Sequence, residues 1–203
     1  RNTLVLISSY SGNTEETLAA HRDARKRRAR ILCISSGGKT VETARSHRTP
    51  LILIPGGLPP RAALGYSFFP LLIALGRLGF IRPRPRDIRE TIGLLDAMVQ
   101  EYGIPDERTN RALQLASLLA NRLGVIYSST ERFDAVNTRW RGQIAENAKS
   151  LAFGHVLPEM NHNELVGWNT LSAQMQEMQV LFLRERQDHP RIALRLSGLR
   201  ECG

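Results

Sequence analysis

Thr3-Leu-Val-Leu-Ile-Ser-Ser-Tyr-Ser-Gly-Asn-Thr-Glu-Glu-Thr17 decides how this chain is read. The run from Thr3 to Ile7 is aliphatic and β-branched, the composition of a buried strand, and the residues after Ser9 switch to turn vocabulary before a helix opens. A strand that stops at such a turn leaves the first amides of the next helix without partners, and the helix dipole adds partial positive charge there. That combination is an anion site. Ser9, Ser11 and Thr14 supply hydroxyl donors, and Gly12 lets the backbone approach a ligand without a Cβ in the way. The same residues also serve as ordinary turn and cap chemistry, with Asn13 or Thr14 as the helix cap and Glu15 and Glu16 favouring its first turn. The loop alone leaves both readings open.

Outward from this loop, strand and helix patterns alternate. A helix is expected over 15–28, a strand over 30–35, a helix over 41–47 and a strand over 51–54. A Gly/Pro-rich loop follows, then a helix that starts at Pro60, carries Arg61 in its first turn and runs to about 78. Alternation of this kind implies a parallel sheet flanked by helices. The segment 79–87, with Pro83 and Pro85, breaks the pattern and reads as a linker. Two helices are expected next, over 87–102 with Ile88, Ile92, Leu95 and Val99 on one face, and over 109–123. Val125-Ile-Tyr127 opens a second α/β lobe, continued by a helix over 134–150 and a strand over 180–183. The organisation expected is a first lobe over 1–80, a helical linker region over 81–123 and a second lobe over 124–203.

The chain has 203 residues, 42% hydrophobic and 23% charged, enough for a substantial core. Its formal charge of +9 comes from arginine, since only Lys26, Lys39 and Lys149 are lysines. The densest basic run, 22–30, falls where the first helix ends. Cations there suit the dipole and face water, and no aromatic interleaving or zinc spacing accompanies them, so no nucleic-acid partner is expected. Cys33 and Cys202 form neither a metal-ligand pattern nor a disulfide framework, which fits a reducing, cytoplasmic setting. The longest apolar stretch, 64–81, contains Pro70 and Arg77 and reads as a buried helix, not a membrane span.

The string Ser9-Tyr-Ser-Gly-Asn-Thr-Glu-Glu-Thr17 resembles the signature of the SIS (sugar isomerase) domain, a doubly wound α/β module whose Ser/Thr loop holds the phosphate of a phosphosugar. Four further segments narrow the resemblance: Ile34-Ser-Ser-Gly-Gly38, Gly57-Leu-Pro-Pro-Arg-Ala-Ala-Leu-Gly-Tyr66, Gln143-Ile-Ala-Glu-Asn-Ala-Lys149 and Leu157-Pro-Glu-Met-Asn-His-Asn-Glu-Leu-Val-Gly167. In this order they are similar to the bifunctional phosphoglucose/phosphomannose isomerase branch.

The resemblance implies two parallel-sheet SIS lobes, the first lacking its N-terminal strand and the second incomplete at the C-terminus. It implies a cofactor-free aldose-ketose isomerase acting on glucose 6-phosphate or mannose 6-phosphate through a cis-enediolate. Ser9, Ser11, Gly12 and Thr14 would hold the phosphate, and Arg61 would steady the enediolate. Glu146 would be the base, with partial desolvation raising its pKa, and His162, held between Asn161 and Asn163, would open the ring. In phosphoglucose isomerases this histidine reaches the neighbouring subunit's site, so a homodimer is implied. Segments before Arg1 and after Gly203 would complete the pocket and bring a catalytic lysine, a role not given to Lys149. A metal site from Glu159, Glu164 and histidine is conceivable, but no metal is expected. A phosphosugar-binding SIS module without chemistry, such as a sensor, is the alternative; it needs the loop but not Glu146 and His162.

Overall fold

A computed structural model describes residues 3–130, 132–170 and 172–201. The chain divides into two compact units, 1–97 and 98–203.

In the first unit β1 (Leu4–Ser9), α1 (Glu15–Lys26), β2 (Arg30–Ser35), α2 (Gly38–Ser46) and β3 (Leu51–Leu53) follow one another. The strands form a parallel sheet in the order β1-β2-β3, with Leu4 opposite Arg30 and Cys33 opposite Leu51. The core comprises Ile7, Cys33 and Ala44, with Val5, Ile31 and Leu51 packed against it. Burial pushes the Cys33 thiol pKa up, so it behaves as a small apolar side chain. Cys202 lies outside the described residues.

The dipole pattern of α1 is complete, with Glu15 and Glu16 in its first turn and Arg25 and Lys26 in its last. Every basic side chain from Arg22 to Arg30 is exposed, as a solvated helix end requires. The helix stops at Lys26, short of 28, because Arg28 adopts a left-handed φ of 56°.

A 3₁₀ turn, Pro60–Ala62, then precedes α3 (Leu64–Arg77), and α4 (Pro85–Tyr102) runs across the boundary between the units. Arg61 therefore lies in a separate turn, not in the first turn of the long helix. The expectation of a buried 64–81 helix is also corrected. No residue of α3 is buried, and Leu64 and Phe68 are each 51% exposed. The face of α4 carrying Ile92, Leu95 and Val99 is exposed too. Among the described residues no helix is long and apolar enough to cross a membrane.

The second unit contains α5 (Arg111–Leu119), β4 (Leu123–Ser129), α6 (Asp134–Gln143), β5 (Ala152–Leu157), α7 (Glu159–Asn163), α8 (Ser172–Met175), β6 (Met178–Leu183) and α9 (Pro190–Glu201). Its strands form a parallel sheet in the order β5-β4-β6. Val125, Tyr127, Leu157, Met160 and Leu196 make the core. The helix expected over 134–150 ends at Gln143 and passes into a π-helical turn, Ile144–Ala148, closed by Lys149 at a left-handed φ of 55°. The extra residue in such a turn shifts the helical register, and π turns often accompany functional sites.

His21, on the inner face of α1, is 1% exposed, and neither ring nitrogen finds a hydrogen-bond partner among the described residues. Burial, and then repulsion from Arg25, lower its pKa below the usual value of 6.5. Because the folded-state pKa is the lower one, the unfolded chain binds the proton more tightly, and stability falls as pH drops below about 6.5. His21→Leu should lack this part of the acid sensitivity. Urea midpoints at pH 7.5 and pH 5 should therefore differ more for the parent chain than for the variant.

Candidate functional site

The turn after β1 and the turn after β2 lock into each other. Gly12 sits at a φ of 70°, where its carbonyl accepts from both the amide (2.9 Å) and the hydroxyl (3.0 Å) of Thr40. A Cβ on Gly12 would stand 1.8 Å from the Gly37 carbonyl oxygen, so the contact demands glycine for space as well as for φ. Tyr10 contributes its carbonyl to the amide and hydroxyl of Ser36. Asn13 Oδ1 accepts from the Lys39 amide at 3.1 Å, capping α2 from the neighbouring loop.

These bonds settle which loop residue caps which helix. Thr14 occupies the N-cap position of α1, but its hydroxyl makes no cap bond and instead pairs with Ser9 Oγ at 3.2 Å. Ser9 Oγ also accepts from the Gly12 amide at 3.1 Å, and Ser11 Oγ accepts from the Asn13 amide at 3.3 Å. The backbone amides of Glu15, Glu16 and Thr17 find no acceptor among the described residues. Three donors at the positive end of a helix thus face the rim of a loop whose own polar atoms are already ordered.

The segment leading to Arg61 passes over the same loop. The segment after β3 returns over the loop, and the Leu58 amide donates to the Tyr10 hydroxyl at 3.1 Å. Arg61, three residues further on, is half-buried. The structure thus gathers Ser9, Ser11, Gly12 and Thr14 at the edge where β1 and β2 end, with the turn that carries Arg61 three residues past the Leu58 contact. Tyr10, Asn13 in its capping role and Thr40 were not legible as parts of this site. Their partners lie 26 to 48 residues away, and no local spacing announces them.

In the second unit Asn137 ties α6 to the sheet, its buried Nδ2 donating to the carbonyls of Ile126 (2.9 Å) and His155 (3.2 Å) and to Ser128 Oγ (3.1 Å). The helix so held delivers Glu146, in the π turn, toward the edge where β5 begins. Glu146 is exposed, so the expected partial desolvation is absent from this chain. His162 lies in α7, immediately past the other end of β5. Its flanking amides do not hold the ring, because Asn163 Nδ2 donates to Glu159 Oε1 and the buried Asn161 Oδ1 has no partner among the described residues. Six residues of strand, about 20 Å, separate the two edges.

The segment carrying His162 is anchored by Tyr127. Its hydroxyl donates to Glu164 Oε2 at 2.9 Å and accepts from Trp168 Nε1 at 3.0 Å. Burial and the Glu164 carboxylate push the Tyr127 pKa upward, keeping the phenol a donor. Glu164 is thereby committed to tyrosine. Among the described residues no group of three His, Cys, Asp or Glu side chains is placed to hold a metal.

Comparisons with known proteins bear on both units. Residues 108–202 match the profile of the bacterial phospho-glucose isomerase C-terminal SIS domain. The bifunctional phosphoglucose/phosphomannose isomerase of Caldicellulosiruptor bescii is 43% identical over 196 residues, covering 96% of this chain and 58% of the relative. Its counterpart in Aquifex aeolicus is 35% identical over 97% of this chain and 57% of that one. The C-terminal domain of glucosamine-fructose-6-phosphate aminotransferase from Francisella tularensis superposes with a TM-score of 0.59 at 14% identity, covering 99% of this chain and 57% of its own, a likeness of fold. The chain spans a little more than half the length of these curated relatives.

Two substitutions probe these anchors. Gly12→Ala should cost at least about 1–3 kcal/mol, because the methyl meets a backbone carbonyl and φ is left-handed. A denaturant midpoint equal to the parent's would contradict the interlock. Tyr127→Phe, which strips Glu164 of a donor and Trp168 of an acceptor, should cost about 1–3 kcal/mol and alter tryptophan fluorescence.

Proposed function

We propose that this chain, a member of the SIS-domain bifunctional phosphoglucose/phosphomannose isomerase family, works in the interconversion of glucose 6-phosphate and mannose 6-phosphate with fructose 6-phosphate. The observation that carries the phosphosugar reading is the β1 loop, with the three unaccepted amides of α1 beside ordered hydroxyls. A phosphate dianion there gains backbone donors, with Ser9, Ser11 and Thr14 supplying the hydroxyl lining.

The chemistry assigned to the remaining residues follows from what isomerisation requires. His162 gives a proton to the ring oxygen and takes up the C1 hydroxyl proton as the bond between C1 and the ring oxygen breaks, opening the sugar to its aldehyde. Glu146 takes the C2 proton of the aldose, giving the cis-enediolate, and returns it to C1, while the C2 hydroxyl proton passes to the C1 oxygen, so that C2 becomes the ketose carbonyl and C1 a hydroxymethyl group. Arg61 offsets the negative charge that develops on the enediolate oxygens. No step changes the overall oxidation state of the substrate, so the scheme balances without an external oxidant or reductant.

The placement of Glu146 and His162 at opposite edges of one sheet supports a homodimer. A single sugar cannot touch two groups separated by the length of β5, so a site using both draws them from two copies related by symmetry. A sensor without chemistry has no use for such an arrangement.

The test is complementation in the full chain. Glu146→Gln and His162→Ala should each abolish isomerisation, and Glu146→Gln should leave phosphosugar affinity nearly intact. Mixing the two inactive proteins and allowing subunits to exchange should restore about a quarter of the parent activity, since half of the dimers would be mixed and each would hold one intact site. No recovery despite exchange would contradict the shared site. Unchanged turnover in Glu146→Gln would remove that residue from the mechanism.

A further inference from the structure

The second unit carries a crevice that the isomerase reading leaves unused. From β4 the chain crosses to β5 on one side and then returns to place β6 on the other. Such a reversal opens a gap beyond the carboxyl end of the central strand, the usual ligand position in open α/β sheets. A cleft of about 270 Å³ lies there, lined by Ser129 and Thr130 from the end of β4, by the loop after β6, and by Arg191 and Arg195 of α9. That volume is just below the ~300 Å³ at which drug-sized pockets begin, which suits a small metabolite.

The polar groups of the cleft fall into two sets. Glu185 is neutralised by Arg132, whose Nε lies 3.3 Å from Oε1, and its amide donates to Asp188 Oδ2 at 3.1 Å. Arg132 also donates to Gln187 Oε1 at 2.7 Å. Arg191 and Arg195, one helical turn apart, have no carboxylate partner among the described residues, and the hydroxyls of Ser129 and Thr130 have no described acceptor. Asp188 Oδ1 is buried with no donor among the described residues. Both arginines are exposed, and with the two hydroxyls they line one crevice at the switch point. Guanidinium pairs match phosphate oxygens in geometry as well as charge, and a hydroxylated carbon skeleton would supply the donor that Asp188 lacks.

We propose that this cleft is a second anion site, which takes the phosphate group of a small phosphorylated metabolite through Arg191, Arg195, Ser129 and Thr130. It is built wholly within the second unit and does not depend on the β1 loop or on isomerase activity.

The experiment is a titration of the ¹⁵N-labelled chain, at constant ionic strength, with inorganic phosphate, glucose 6-phosphate and glucose, following backbone amide shifts. Saturating shifts at Thr130, Asp188 and Arg191 are expected with both phosphate compounds and not with glucose. Tighter saturation by glucose 6-phosphate than by inorganic phosphate would locate the sugar in the cleft, and equal saturation would assign the site to phosphate alone. R191Q/R195Q should weaken the cleft response by about tenfold or more while shifts at Ser11 to Thr14 persist. The milder Thr130→Val, which keeps the shape, should weaken it in the same direction. Cleft amides silent at about 20 mM phosphate, equally responsive to glucose, or unchanged in a folded R191Q/R195Q protein would overturn the proposal. Loss of the loop response alone would count against the β1 phosphate site and leave the cleft standing.

Discussion

The contact between Gly12 and the turn after β2 is the constraint on which the first unit's site depends. The Gly12 carbonyl receives both donors of Thr40, and the Gly37 carbonyl occupies the space a side chain would need. Once the two turns are pinned at that distance, Asn13 can reach across to cap α2, and the Tyr10 carbonyl can meet Ser36. The amides at the start of α1 are then left facing outward. The parallel register of β1 with β2 sets the spacing, since Ser9 lies opposite Ser35 where both strands end. The open helix N-terminus is thus a product of sheet register and a glycine, not of the Ser/Thr hydroxyls themselves.

The second unit solves a different problem, that of aiming single residues from short elements. Asn137 clamps α6 onto two strands and so determines where the π turn leaves Glu146. Tyr127 fastens Glu164 and Trp168 to the central strand and so limits how α7 can move. Both anchors are buried polar groups whose loss exposes unpaired partners, which makes them stiff as well as stabilising. Between them they hold Glu146 and His162 at opposite edges of one sheet.

Much of the fold was legible because strand and helix periods differ and this chain alternates them cleanly. β2 falls on the residues expected, and the other expected strands are recovered with small differences at their ends. The strand Ala152–Leu157 is not legible, because Gly154 and His155 interrupt its apolar pattern and because the helix before it ends seven residues earlier than its sequence pattern implies. The end of that helix depends on a π turn and a left-handed lysine, which no propensity signals. The stretch 64–81 is apolar in composition, and composition does not say what covers a helix. Of the candidate site, the Ser/Gly loop announced itself through local turn chemistry, whereas its supports Thr40, Ser36 and Leu58 are distant in sequence. The unaccepted amides were predictable from the strand-turn-helix junction; the interlock that presents them was not.

The measurement that tests the account most directly is a coupled assay of the full chain, following fructose 6-phosphate formation from glucose 6-phosphate and from mannose 6-phosphate separately, with a chelator present. Turnover of both sugars, undiminished by the chelator, is the expected result. Retained phosphosugar binding with turnover of neither sugar would contradict it and identify the module as one that binds without chemistry.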